Sequence, residues 1–559
     1  MRSKWLWSIV ALGLAARLAL LACAWDRPEG VFTPDSRDYW QLARSLDERG
    51  CFAMDPDGRW PEIFRTPGYP AYLAFWQAWH WGVAATAWRA ALLAQILLDC
   101  SLIVLTFLLG RGIAGQRAGL VAAGFQAFTP LAVASSCRIL SDSIFAFMLT
   151  LAVVLIFRHF RATRQQLLAR RGEGPASREE LDKGGLPVEC GGKVPKGRDA
   201  ALASSGLTAG ERAALDSPGA GASQSGVVAA ALQRTVSFTG PNQLGQRTAG
   251  PWQVWWPLLA AAVVLGLSCY VRPVGIILAA VFFTVLTAGH HGFRRAGAFA
   301  LIVIAICAPW VVRNSYVADY RGFSSFATDS YCKYAASRLH LPSEYRWLYE
   351  THQKLHAGGR GTSVATSQDN SSISYGLLGV WQDAIWHEYG FDLGPNERWK
   401  TPGEAARYRM EVDINAIKGH PLEALEIHLK GDLAFWLPDA SEVLEVAGLA
   451  TGGRGTLNLL HEQGLWPAVR HYFGDNRTAI AVAIPLTAVF AVKMLGVVAC
   501  IIRRFRIRMP LEVWLMAMLV IVSALLPGPA AHPRFRVPIE PILSVAAAVG
   551  WLAVFRRRA

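Results

Sequence analysis

Asp35 stands in the run Thr33-Pro34-Asp35-Ser36-Arg37-Asp38-Tyr39, at the head of a segment whose apolar residues Tyr39, Leu42, Ala43 and Leu46 recur at helical spacing and which ends near Gly50. A carboxylate there has two uses. It can take a proton from a hydroxyl brought to it, or it can cap the helix, with Asp38 favouring the positive end of the helix dipole. The same two readings apply to Asp142 in Ser141-Asp142-Ser143. Arginines supply the complementary chemistry. Arg138, Arg272 in Tyr270-Val271-Arg272-Pro273, Arg313 in Pro309-Trp310-Val311-Val312-Arg313-Asn314, and Arg534 and Arg536 in His532-Pro533-Arg534-Phe535-Arg536-Val537-Pro538 all stand at ends of apolar runs. A planar guanidinium offers a phosphate two parallel donors, and an extended Arg534-Phe535-Arg536 would aim both forks to one side. The plainer alternative is that these arginines snorkel to lipid headgroups or pair with acids. Arg65-Thr66-Pro67-Gly68-Tyr69-Pro70 reads as a rigid turn.

Other chemistries lack their signatures. There is no P-loop, G-x-G-x-x-G or H-E-x-x-H pattern, and the 13 His are dispersed apart from His290-His291, so neither nucleotide nor metal binding is indicated. The 9 Cys contain no C-x-x-C pair; most read as small apolar fillers, with Cys51 and Cys332 the two that could join each other. A formal net charge of +14 would suit a nucleic-acid partner, but the basic residues sit in short clusters beside apolar segments and not along one polar face, which membrane topology explains better.

Membrane spans are what must position these groups. Hydrophobic residues make up 53% and charged residues only 17%, below the roughly 25% of a soluble domain, so lipid is the solvent. Ten apolar runs have spanning length, at about 5–25, 86–109, 118–136, 142–158, 252–270, 273–289, 296–313, 479–502, 511–527 and 538–555. The first is longer than a signal-peptide core and reads as a retained anchor. The aromatic stretch Tyr69–Trp81 is too short to cross and is expected to lie in the interface. Arg and Lys concentrate at every second connection, at Arg2 and Lys4, Arg111 and Arg117, Arg158, Arg161 and Arg164, Arg294 and Arg295, Arg503 to Arg508, and Arg556 to Arg558. Positive charge marks the cytoplasmic side of short loops, so both termini are expected inside.

That alternation divides the chain into an N-terminal membrane region, 1–158, holding a first outer loop at 26–85; an inner loop at 159–251; middle spans at 252–313; an outer domain at 314–478; and C-terminal spans at 479–559. The inner loop, rich in Gly, Ala, Ser and mixed charge, is expected to be disordered. The outer domain carries helical patterns such as Pro421 to Leu429, with Trp347, Trp381, Trp386 and Trp436, and is expected to fold. The fold class is an all-α polytopic membrane protein of about ten transmembrane helices with a mainly helical extracytoplasmic domain.

Taken in order, these pieces resemble the glycosyltransferase superfamily C, in the branch of the dolichyl-phosphate-mannose protein mannosyltransferases and bacterial aminoarabinose transferases. The resemblance runs from Asp35, Tyr39, Ala43, Leu46 and Gly50 through Arg65 to Pro70, Ser141-Asp142, Val271-Arg272-Pro273, Pro309-Trp310 with Arg313-Asn314, and Arg534-Phe535-Arg536-Val537-Pro538. Family members often carry Asp-Glu where this chain has Asp35-Ser36, and many lack the long inner insertion. What the resemblance implies is sugar transfer, with inversion, from a polyprenyl- or dolichyl-phosphate donor to a hydroxyl of a lipid, glycan or protein acceptor at the extracytoplasmic face of a plasma membrane, on this reading a bacterial inner membrane. Asp35, as the base that takes the acceptor proton, and Asp142 are then the catalytic carboxylates. Tyr39, Arg65, Tyr69, Arg272, Arg313, Arg534 and Arg536 bind substrate, and no cofactor or metal is required. Two alternatives are a polytopic lipid or polysaccharide transporter, for which Asp99 and Lys493 would be the isolated intramembrane charges, and a polymerase or ligase using diphosphate-linked glycans.

Overall fold

Apolar segments in lipid must satisfy their own backbone hydrogen bonds, and among the described residues they do so as helices. The computed structural model describes residues 2–170, 251–336, 399–449 and 476–555, apart from short gaps at 56, 81–82, 290–291 and 505–509, with a few isolated positions between. The expectations for the inner loop beyond residue 170, and for Trp347, Trp381 and Trp386, fall outside the described residues. The first half contains α1 (Arg2–Cys23), α2 (Pro34–Arg49), α3 (Gly68–Trp79), α4 (Ala84–Phe128), α5 (Pro130–Ser136) and α6 (Asp142–Arg170). The second contains α7 (Pro251–Val271), α8 (Gly275–Ala288), α9 (Phe293–Ala318), α10 (Phe326–Tyr331), α11 (Pro402–Gly419), α12 (Pro421–Phe435), α13 (Ala440–Ala447), α14 (Arg477–Arg504), α15 (Leu511–Leu525) and α16 (Glu540–Phe555).

Among the described residues 7 helices are long and apolar enough to cross a membrane, and α8 and α15 are shorter apolar helices. One of the long ones, α4, folds back on itself. Gly115 takes φ +83°, a left-handed conformation that glycine adopts without steric cost. The two legs then pack so closely that a Cβ at Gly110 would lie 3.0 Å from the Gly119 Cα. The apolar runs read from the sequence are thus all helical, the third ending at the Thr129–Pro130 break and continuing as α5. The main apolar core joins α6, α7, α8 and α9, where Phe145, Leu149 and Ile156 meet Leu258, Leu265, Phe282 and Phe299.

Charges within the bundle are paired. Arg17 and Asp99 are both wholly buried, with Arg17 Nε 2.7 Å from Asp99 Oδ2. Lys493 meets Glu540 and donates to Thr129 Oγ1 at 3.0 Å. Neither Asp99 nor Lys493 is therefore an isolated charge.

At one end of the bundle the connections are tied to one another. The Ile139 N–H donates to Val31 O (3.2 Å), the Ser325 N–H to Ile63 O (3.0 Å), and Arg27 Nη2 to Ala447 O (2.8 Å). At the other end Arg295 reaches Thr163 Oγ1 (3.1 Å) and Arg164 reaches Glu512 (3.6 Å). Cys51 and Cys332, proposed as a pair, are both free thiols; Cys51 lies beside the Ser45 hydroxyl and Cys332 is buried.

Candidate active site

The start of α2 decides what Asp35 can do. Thr33 is the N-cap, its Oγ1 accepting from the Ser36 N–H (3.3 Å) while Ser36 Oγ accepts from the Thr33 N–H (2.9 Å), and Pro34 fills the first helical position, where its missing N–H costs nothing. The capping reading of Asp35 is therefore replaced. Its carboxylate, free of that duty, sits between two guanidiniums. Arg65 Nη2 is 2.9 Å from Oδ1, and Arg534 Nη2 donates to Oδ2.

Arg65 is held from several sides. Its Nη2 also reaches Asp38 Oδ2 at 2.6 Å, and the guanidinium lies 4.5 Å from the centroid of the Tyr39 ring. Glu62 accepts from the N–H groups of Phe64 (2.6 Å) and Arg65 (2.9 Å), which fixes the turn. Gly68 then presses against the end of α7, where a Cβ would lie 2.6 Å from Tyr270 O, so the turn and the Arg272 segment are in register. Tyr39 meets Tyr69 edge-on with centroids 5.0 Å apart, and its hydroxyl is 3.3 Å from Ser141 Oγ. Tyr69 itself is buried and donates to Gln95 Oε1 at 3.1 Å, so it supports the site from behind.

A second acid and arginine face this group. Asp142, buried at the head of α6, pairs with Arg272. The Phe535 ring lies between Arg272 and Arg534, its centroid 5.2 Å and 5.3 Å from the two guanidinium carbons. Residues 35 and 65 come from the first loop and 142, 272 and 534 from three other connections; Asp35 with Arg65 and Arg534 on one side meets Asp142 with Arg272 across the Phe535 ring.

Two of the expected ligands lie elsewhere. Arg313 Nη1 donates to Glu62 O (2.9 Å) and Nη2 to Phe52 O (3.2 Å), and its guanidinium lies 4.7 Å from the Trp310 ring, so it ties the first loop to α9. Arg536 is wholly buried. It donates to Glu540 (2.6 Å), Asp439 (3.0 Å), Phe435 O (2.6 Å) and Leu437 O (3.1 Å). The expected extended Arg534-Phe535-Arg536 is instead part of a 3-10 helix, Pro533–Ile539, begun by Pro533 with His532 as its cap. At three residues per turn, positions two apart point in different directions. Arg534 therefore enters the site and Arg536 leaves it.

Burial alone would raise the Asp35 carboxyl, but the charges of Arg534 and Arg65 outweigh it and hold the group well below the usual carboxylate range. Burial lifts Glu62, while His532 is pushed down to about 4 by burial and then by Arg534. Sequence reasoning did not assign His532, Asp38, Ser141, Phe535 or Glu442 to the site. Asp38 had a usable signal, since it is one helical turn beyond Asp35. Glu442 had none, for α13 brings it to Arg138 across 304 residues of sequence.

No protein-family model matches the chain, and no curated protein does. Solved structures do. The archaeal oligosaccharyltransferase AglB from Archaeoglobus fulgidus, in complex with an inhibitory peptide and a dolichol-phosphate, is similar at 15% identity with a TM-score of 0.43, over 99% of this chain and 51% of that one. ArnT from Cupriavidus metallidurans bound to undecaprenyl phosphate is similar at 13% identity with a TM-score of 0.35, over 99% of this chain and 78% of that one. The chain thus spans about half the length of the archaeal enzyme.

Proposed function

We propose that the chain is an integral membrane glycosyltransferase that moves a sugar, with inversion, from a polyprenyl- or dolichyl-phosphate carrier to an acceptor hydroxyl at the extracytoplasmic face. The observation that carries this reading is Asp35 held between Arg65 and Arg534, residues 30 and 499 positions away in sequence. An acid and several guanidiniums at the end of a membrane bundle suit a substrate that is a sugar phosphate on a lipid.

In the reaction the acceptor oxygen attacks the anomeric carbon while its proton passes to the Asp35 carboxylate. The bond between the anomeric carbon and the phosphate oxygen breaks, and its electron pair leaves with the phosphate. Arg534 and Arg272, on the two sides of Phe535, stabilise that leaving charge. Each now contacts an aspartate, so the phosphate exchanges one anion for another. Asp142 releases Arg272 and holds its position, and Tyr39 with Ser141 lines the space between the two acids. Arg536 acts on this reading as a positioning residue for the Pro533–Ile539 segment that carries Arg534.

The test is lipid analysis of a deletion strain. A lipid-phosphate sugar should accumulate, and the wild-type gene, but not Asp35→Asn, should clear it. Absence of any such lipid, or clearance by the substituted protein, overturns the assignment. A reporter fused after residue 40 should read as extracytoplasmic.

A further inference from the structure

We infer that α12 lies in the membrane interface on the side of the site and buries one face in lipid. At 3.6 residues per turn, Leu422, Leu425, Leu429 and Leu433 share a sector of about 80°. All are exposed, Leu422 by 81% and Leu433 by 68%. A stripe of large exposed apolar side chains along one side of a helix marks a contact surface.

The other two faces of α12 say what covers the third. On one, Ala424, Asp432 and Phe435 are buried against the protein, with His428 Nε2 2.9 Å from Leu525 O and the Gly528 N–H donating to Asp432 Oδ1 at 3.1 Å. These bonds anchor α12 to the end of α15, an apolar helix that exposes Trp514, Ile521 and Leu525 on its own outer side. Around the helix Leu425 lies about 20° from Asp432, so the leucine stripe borders the face anchored to α15. On the remaining face Glu423, Glu426 and Lys430 are exposed, and Glu426 pairs with Lys430. A helix with one side to protein, one apolar and one charged is the arrangement that a water–lipid boundary selects. Just before it, α11 also exposes Ile414 and Ile417 near the turn at His420. The occupant is a lipid leaflet, since the stripe borders the face anchored to α15, itself an apolar helix with exposed large apolar residues, and the charges on the third face are mixed in sign, which favours no single charged partner.

The inference does not depend on the chemistry of the site. It is tested on the full-length protein reconstituted in phosphatidylcholine vesicles, with Cys23, Cys51, Cys190 and Cys500 changed to Ser and an environment-sensitive fluorophore on Leu429→Cys, Leu425→Cys or Glu426→Cys. Brominated phosphatidylcholine should lower emission about twofold at positions 425 and 429 and leave 426 nearly unchanged, while aqueous iodide should do the reverse. Equal iodide quenching at 429 and 426 overturns the inference. So does protection of 425 and 429 from both quenchers, which would mean that protein covers them. Either leucine position suffices if the other variant does not fold.

Discussion

Asp35→Asn separates a catalytic carboxylate from a structural one because Thr33, not Asp35, caps α2. The substitution leaves the Thr33–Ser36 capping box intact, so the roughly 1 kcal/mol loss typical of a removed cap does not apply. Arg65 keeps Asp38 at 2.6 Å, and Arg534, with 21% of its side chain exposed, can turn toward water. The lost ion pairs are partly exposed and contribute about 1 kcal/mol or less each, so the thermal midpoint should move by only a few degrees. The expected kinetic loss is much larger. A positioned general base contributes about 10²–10⁴-fold, or about 3–5 kcal/mol of barrier. Donor KM should stay level or fall, because Arg534 no longer has a competing carboxylate. The assay is sugar release from a lipid-phosphate donor by reconstituted protein, with midpoint and KM measured on the same preparation. A turnover equal to wild type would falsify the assignment of Asp35 as base; a midpoint lower by ten degrees or more with proportionate loss of activity would make it a strut.

Arg536→Lys should destabilise strongly, by about 3–5 kcal/mol, because one ammonium cannot satisfy Asp439, Glu540 and two carbonyls together; surviving protein should keep its donor KM, and a stable variant with raised KM would return Arg536 to the phosphate. Asp413, buried beside the Asp329–Arg409 pair with Oδ1 unpartnered, is raised to about 8 by burial and then by Asp329. The native state therefore holds a proton that the unfolded chain releases near pH 4, so stability should fall as pH rises from about 4 to 8, by at most about 1.4 kcal/mol per unit, and Asp413→Asn should flatten that slope in thermal unfolding. For catalysis the sign differs: in the free protein Asp35 titrates below the usual range, and it should rise once a phosphate takes Arg534, so the acid limb of kcat should lie at higher pH than that of kcat/KM. Coincident limbs would count against that exchange.

The spans were legible because each is a long apolar run between charged connections, and two of the basic residues between them, Arg295 and Arg164, meet Thr163 and Glu512 at the far end of α6 from Asp142. Helix α2 was legible to within a residue or so, since Thr33-Pro34 and Gly50 are strong start and stop signals. What could not be read was partnership over distance. Nothing local distinguishes Arg534, which meets Asp35, from Arg536, which is sealed by Glu540 and Asp439. That choice is made by a 3-10 turn which Pro533 permits but does not compel. Asp99 likewise looked isolated only because Arg17 lies 82 residues earlier.

The pairing of charges separates the two parts of the molecule. Within the bundle Arg17–Asp99 and Lys493–Glu540 are almost completely buried, so each ion leaves its partner only at a large desolvation cost, and the pairs act as fixed joints between helices. At the end of the bundle Asp35 and Arg534 remain about 31% and 21% exposed, so water or a ligand can reach both. Their partners can be exchanged. An empty site lined only with guanidiniums would repel itself, whereas aspartates held against them keep the forks in place without a substrate. On the proposed reading, a phosphate that enters would replace an existing anion without having to create a cationic pocket, and the carboxylate it displaced would regain proton affinity next to the carbon under attack.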